Sequence, residues 1–213
     1  VATIITRTGK AVQAGRMTGA TPTQNEPKYL CWGTNPVPTT AAITDVALFF
    51  ESTEARTAGT ASLQTTTYTN DTIQWTGTIT ATATRIIQEA ALADSATQPA
   101  QGTVAAGGVV GSSVSTTLNT GATFSPTNTG YIQIRGEVMA VTAGSGTTTL
   151  TVTRAQNGSS AIATIAASDN IGVGNIPGTT TTTGGTFLAH ADFPAINLSS
   201  GDSINFTWRL QYT

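Results

Sequence analysis

The sequence predicts an all-β chain: an antiparallel β-sandwich of jelly-roll-like type with a small β-barrel-like module inserted into it. Three observations carry this. Two long stretches alternate apolar and polar residues, the mark of half-buried antiparallel strands. About a fifth of the 213 residues are threonine, whose β-branched side chain suits a pleated surface and disfavours helix. Two low-complexity segments bracket a compact run of short strand patterns in mid-chain.

The elements follow in chain order. Val1 to Gln24 is polar and carries Gly9, Gly15 and Gly19, so it reads as an arm, with a short strand at Thr3–Thr6. Lys28–Trp32 is the next strand. Ala42–Ser52 is the one helical pattern, with Thr44 or Asp45 as cap and Val46, Leu48 and Phe49 turned inward. Ser62–Tyr68 and Thr72–Thr84 are strands joined by a turn at Asn70-Asp71. In the second of these, Ile73, Trp75, Gly77, Ile79, Ala81 and Ala83 share one face, and polar residues, mostly threonine, share the other. Arg85–Leu92 follows. Near the end, Phe187–Ala191 and Ile196–Leu198 are strand candidates. Gly201-Asp202 then launches a final strand in which Ile204, Phe206, Trp208, Leu210 and Tyr212 alternate with polar residues.

Between these parts, residues 101–111 and 175–185 read as linkers rich in small residues. The strands between them are Tyr131–Arg135, Glu137–Thr142, Thr148–Arg154 and Ala161–Ala167, separated by Gly144-Ser145-Gly146 and Asn157-Gly158. This defines an inserted β domain at 112–174 and a discontinuous sandwich at 1–100 plus 178–213, an arrangement tolerated at exposed loop tips.

Composition limits the function. A net charge of −2 argues against nucleic acid or an anionic membrane surface as partner. No run of about 18 apolar residues occurs, and Val1 to Lys10 shows no basic region followed by an apolar stretch. Cys31 is the only cysteine, so no internal disulfide forms. Only 9% of residues are charged. A surface wetted by threonine, serine and amides suits a protein packed in many copies, where like charges would repel.

Catalytic chemistry finds few residues. His190, the only histidine, lies in a strand pattern without a nucleophile motif nearby and reads as a structural or surface residue. Glu51 and Glu54 read as a solvated helix end. Asp71, Asp169, Asp192 and Asp202 are scattered or sit in turns, so no metal or cofactor site is expected. Trp75 and Trp208 fall on apolar strand faces and are core candidates. Tyr29, Trp32, Tyr68 and Tyr131 remain as candidate stacking aromatics for a ligand.

Two regions resemble virion structural proteins of tailed bacteriophages. Gly130 to Val141 (GYIQIRGEVMAV), continuing to Leu150 through Ser159 (LTVTRAQNGS), resembles a small β module with the pattern I-x-I-x-x-E-x-M-x-V … L-T-V-x-R-G-x-x-G-T. Ala155 and Ser159 stand where that pattern has Gly and Thr, and the His often found near the position of Ile165 is lacking. Ile86 to Leu92 resembles an I-x-E-x-G-L strand, with Ala91 in the place of Gly. Phe193 to Trp208 is similar to its closing segment, F-x-x-I-x-L-x-x-G-D-x-I-x-x-T-W. The two halves of this second resemblance flank the linkers, and together the matches cover about half of the chain.

The resemblance implies a non-enzymatic virion protein, in first place a capsid decoration or cement protein. Such a protein is assembled in the host cytoplasm and sits on the capsid exterior. It would bind the major capsid protein and itself, as a homotrimer, and bridge neighbouring subunits of the shell. Arg7, Lys10 and Arg16 of the arm, with Glu89, are the candidate interface residues. A tail or fibre-base component, or a carbohydrate- or host-receptor-binding module, is the alternative.

Overall fold

The computed structural model describes residues 2–19, 25–33, 40–98, 102–110, 115–124, 130–174 and 185–212. Its sandwich strands are β1 (Ala2–Ile5), β2 (Tyr29–Gly33), β3 (Thr57–Ala58), β4 (Thr60–Gln64), β5 (Thr72–Thr80) and β6 (Arg85–Ala93), with one helix, α1 (Arg7–Met17). The module holds β7 (Gly102–Thr103), β8 (Val109–Val110), β9 (Ser115–Phe124), β10 (Tyr131–Ile134), β11 (Glu137–Ala143), β12 (Thr147–Thr153), β13 (Thr164–Ile165) and β14 (Asn170–Gly174). The chain then returns as β15 (Phe187–Leu198) and β16 (Ser203–Gln211). The chain is all-β with antiparallel pairing.

The two alternating stretches become neighbours. β16 pairs with β5 without a register shift, Trp208 opposite Trp75 and Phe206 opposite Gly77. With β4 they form a three-stranded sheet, ordered β16-β5-β4. It packs on a five-stranded sheet, ordered β1-β15-β6-β2-β3. Leu30, Trp32, Trp75, Ile79, Leu92, Leu188 and Trp208 fill the space between. Trp32 meets Phe206 edge-on, with ring centroids 6.1 Å apart.

β6 leaves for the module and β15 returns from it as paired neighbours, Phe187 opposite Ala93. Both ends of the insertion thus lie at one point of the sandwich. The module is a six-stranded sheet, ordered β7-β14-β10-β11-β12-β9. A bridge between Val104 and Thr120 brings its two ends together, so the sheet curls into a barrel-like form. Leu118, Ile132, Ile134, Met139, Leu150, Val152 and Ile171 fill it, each 0–1% exposed.

Several expectations are corrected. Residues 102–110 of the expected first linker belong to the module: β7 pairs with β14, β8 with β13, and Val104 and Val109 are buried in its core. A Cβ on Gly108 would come within 2.2 Å of Ile165 O, so a small residue is needed there. Of the second linker, 175–184 lie outside the described residues. Ala161–Ala167 contributes only the two-residue β13, and the strand expected to reach Tyr68 ends at Gln64.

The helix lies where an arm was expected. Thr6 caps it by accepting from Gly9 N at 3.0 Å. Thr8, Gly9 and Val12 face β15. A Cβ on Gly9 would come within 2.1 Å of Leu188 O, so a glycine that argues against helix is what lets the helix dock. Conversely, 42–52 is not helical. Its amides are claimed from outside: Val46 N donates to Gln133 and the amides of Phe49 and Phe50 to Glu89, bonds that an α-helix would use internally.

Candidate functional site

The central part of the five-stranded sheet is buried on both faces. On the face away from the sandwich core it presents Cys31, Glu89, Ala91, Ala93 and His190, and residues 41–50 lie over them. Glu89 Oε2 accepts from Phe49 N at 3.1 Å, and Oε1 accepts from Phe50 N at 3.0 Å. His190 Nε2 lies 3.1 Å from Glu89 Oε2, and its Nδ1 lies 2.8 Å from Asp45 Oδ2. Gly33 is obligatory beside them, because a Cβ there would sit 2.2 Å from Phe50 O and 2.7 Å from Glu89 Oε1.

Burial by itself would lower the His190 pKa. The hydrogen bonds and charges of Asp45 and Glu89 outweigh it and raise it to about 9. The ring is therefore protonated at neutral pH and donates from both nitrogens. Burial pushes the Glu89 carboxyl up, against the opposing pull of His190 and of the Phe50 and Phe49 amides. Asp45, Glu89 and His190 are each 0–1% exposed. The cluster is thus an internal clasp that pins 41–50 to the sheet. On its other side the same segment meets the module: Gln133 bonds Val46 N and Ala47 O, and Gly172 packs on Leu48 O.

Three further carboxylates are buried against arginines. Arg56 pairs with Glu51 at 2.6 Å, Arg154 with Glu137 through Nε and Oε1 at 2.8 Å, and Arg85 with Glu54 at 2.8 Å. Glu54 also takes bonds from Trp32 Nε1, Ser52 and Thr82. Burial opposes its ionisation, but the bonds from Ser52 and Thr82 win and hold it down at about 2. Burial raises the Cys31 thiol pKa far above its ordinary range, so it is no nucleophile.

The accessible concave surface lies elsewhere, along one side of the sandwich. β1 and β16 are the edges of the two sheets there, and the core shows between them. A groove of about 740 Å³ is lined by Ala191, Phe193, Ile196, Phe206, Trp208 and Arg209. A second, of about 290 Å³, is lined by Ile5, Trp75, Leu92, Leu188 and Leu210 among others. A third, of about 420 Å³, runs under α1, between Val12, Met17, Ile73, Leu210 and Tyr212. Together they form a largely apolar seam, with Arg209 in the lining of the first groove and Gln13, Arg16 and Glu26 in that of the third.

The candidate residues fall as follows. Glu89 is corrected from interface to clasp, since its side chain is fully buried. Trp32 is corrected as a stacking aromatic, because it is 1% exposed in the core. Tyr29, on β2, is half-buried; Tyr68 is exposed in a turn; and Tyr131 is half-buried on the module. They stand on separate elements and do not form one platform. Arg7, Lys10 and Arg16 are exposed on α1, with Arg7 beside Gly158 of the module and Arg16 at the rim of the third groove. Sequence reasoning identified the inward face of β16 but not the seam, because alternation does not say which strand lies at an edge.

Among the described residues no helix is long and apolar enough to cross a membrane, and no group of three or more His, Cys, Asp or Glu is placed to hold a metal ion. Compared with known proteins, the chain matches no family model, no curated protein and no solved structure.

Proposed function

We propose that this chain is a virion structural protein of a tailed bacteriophage: a capsid decoration protein that binds the outer shell and bridges neighbouring major capsid proteins. One observation supports this reading most. The charged clusters of the sandwich and module cores are spent on internal bonds, while the open surface offers a strand edge with one charge, Arg209, and a largely apolar seam. Surface of that kind suits binding to other protein subunits. The reading assigns the chain no catalytic role. Repeated over many symmetric positions, modest interfaces of about 1,600 Å² each would add up to substantial stabilisation of a shell.

Quantitative mass spectrometry of purified virions tests it, with copy number normalised to the major capsid protein. A ratio near one to one is expected. A few copies to a few dozen per particle would overturn the decoration reading in favour of a tail or fibre-base component. Absence from particles would overturn virion membership altogether.

A further inference from the structure

Among the described residues the far side of β16 has no partner. At the two ends of the ladder with β5, Tyr212 N donates to Asp71 O at 2.9 Å and Ala81 N donates to Asp202 O at 2.8 Å. The register between them is unbroken. In an antiparallel ladder every second residue faces its partner. The even-numbered residues of β16 therefore bond to β5. Ser203, Asn205, Thr207, Arg209 and Gln211 turn their amides and carbonyls outward.

Natural edge strands are blunted by lysine, proline, bulges or shortness. This edge runs for nine residues with no proline, no bulge and a single charge, Arg209. We propose that β16 pairs antiparallel with β16 of a second copy of this chain, about a twofold axis at Thr207, joining two three-stranded sheets into one of six strands.

Among registers that centre the axis on an outward-facing residue, the side chains favour Thr207. With the axis at Thr207, Asn205 lies opposite the second copy's Arg209, and Ser203 lies opposite its Gln211. All outward amides and carbonyls are paired, and the one charge meets a neutral amide. Moving the axis to Arg209 would set two guanidinium groups against each other. Moving it to Asn205 would carry Arg209 and Gln211 beyond the end of the opposite strand. Each copy is thus the complement of the other, which a twofold contact requires.

The area is adequate. Nine residues run roughly 30 Å, and two sheets about 10 Å apart, with a side-chain layer of about 5 Å on each outer face, make a side wall about 20 Å deep, giving ~600 Å² per copy. The sum, about 1,200 Å², reaches the lower bound for a stable interface. The groove between β15 and β16 then lies at the contact and is covered.

This inference does not rest on the virion reading and survives its failure. Sedimentation velocity of the full chain over a concentration series tests it. A reversible dimer is expected. Thr207→Lys sets two ammonium groups against each other at the axis and should weaken the dimer roughly tenfold or more. Asn205→Asp sets a carboxylate opposite the second copy's Arg209 and should tighten it. Ser62→Lys, on the opposite edge of the same sheet, should leave it unchanged. A monomer at high micromolar concentration, a trimer, or a dimer indifferent to changes at 205 and 207 would overturn the proposal. If Thr207→Lys fails to fold by circular dichroism, Asn205→Asp decides alone: a tighter dimer supports the axis, and an unchanged one overturns it.

Discussion

In the module, β9 and the stretch after β7 meet through the Val104–Thr120 bridge, so its sheet nearly closes. In the sandwich, β1 and β16 end beside a seam where Phe193, Phe206 and Trp208 line open grooves. Both regions are threonine-rich and antiparallel, so strand chemistry alone does not set the difference. Closure does. A closed sheet satisfies its own edges and can bury its apolar residues completely, whereas an open sandwich leaves backbone and core to be covered by something else. The module is therefore the self-sufficient part, and the sandwich is where association is expected.

The largest expected effect tests self-sufficiency. Glu137 accepts from Arg154, Ala155 N and Ile162 N, and both charged side chains are almost fully buried. Glu137→Ala strands the guanidinium in the module core and should cost about 3–5 kcal/mol in urea unfolding followed by circular dichroism. A loss below ~1 kcal/mol would mean that the pair is hydrated and the module looser than described. All three tryptophans, Trp32, Trp75 and Trp208, belong to the sandwich, so their fluorescence reports on that half alone.

The clasp should make the sandwich pH-dependent. His190 is raised from 6.5 to about 9 in the folded chain, so its stabilisation is complete below pH 6.5 and is lost as pH rises through about 9. Glu89 is also raised, which acts with the same sign. Denaturation followed by tryptophan fluorescence should show stability falling by a few kcal/mol across that window. His190→Gln should flatten the slope. A wild-type profile that is level from pH 6 to 9 would show that the ring is neutral in the fold.

A third comparison sets matched cavities against each other. Leu150→Ala in the closed module should cost about 3 kcal/mol, because its surroundings cannot collapse. Phe206→Ala, half-buried at the seam, should cost ~1–2 kcal/mol in the monomer, since water already reaches one side. Equal losses in thermal unfolding would mean that the seam is as tightly packed as the module.

The strands with period-2 alternation were legible because their pattern is local: β5 and β16 lie close to where Ile73–Ile79 and Ile204–Leu210 place them. What was not legible depends on distant partners. The Ala42–Ser52 pattern is apolar because it is sandwiched between sheet and module, and its amides are drawn to Glu89 and Gln133 rather than into a helix. Gly9 hides the true helix, since its need for Leu188 O close by cannot be seen from residues 1–24. The strand pattern around His190 is local, but its partners Asp45 and Glu89 lie 145 and 101 residues away and carry no shared motif. Edges and seams are properties of the assembled sheet order and leave no mark in a single strand.

The smallest expected effect concerns Ala155, one of the module's left-handed non-glycine residues. Ala155 adopts φ +54°, a left-handed conformation that costs an L-residue roughly 1–2 kcal/mol and glycine nothing. It holds this geometry because its amide donates to Glu137 Oε1 at 3.1 Å, tying the turn to the buried ion pair. Ala155→Gly relieves the strain but frees the unfolded chain, which offsets about 0.5–1 kcal/mol. A net gain of ~0.5 kcal/mol is expected in module unfolding, with no change in sandwich fluorescence. A loss would mean that the methyl group packs more strongly than the backbone resists. A shift in the fluorescence transition would show that the two halves unfold as one unit, so that closure in the module also steadies the open seam.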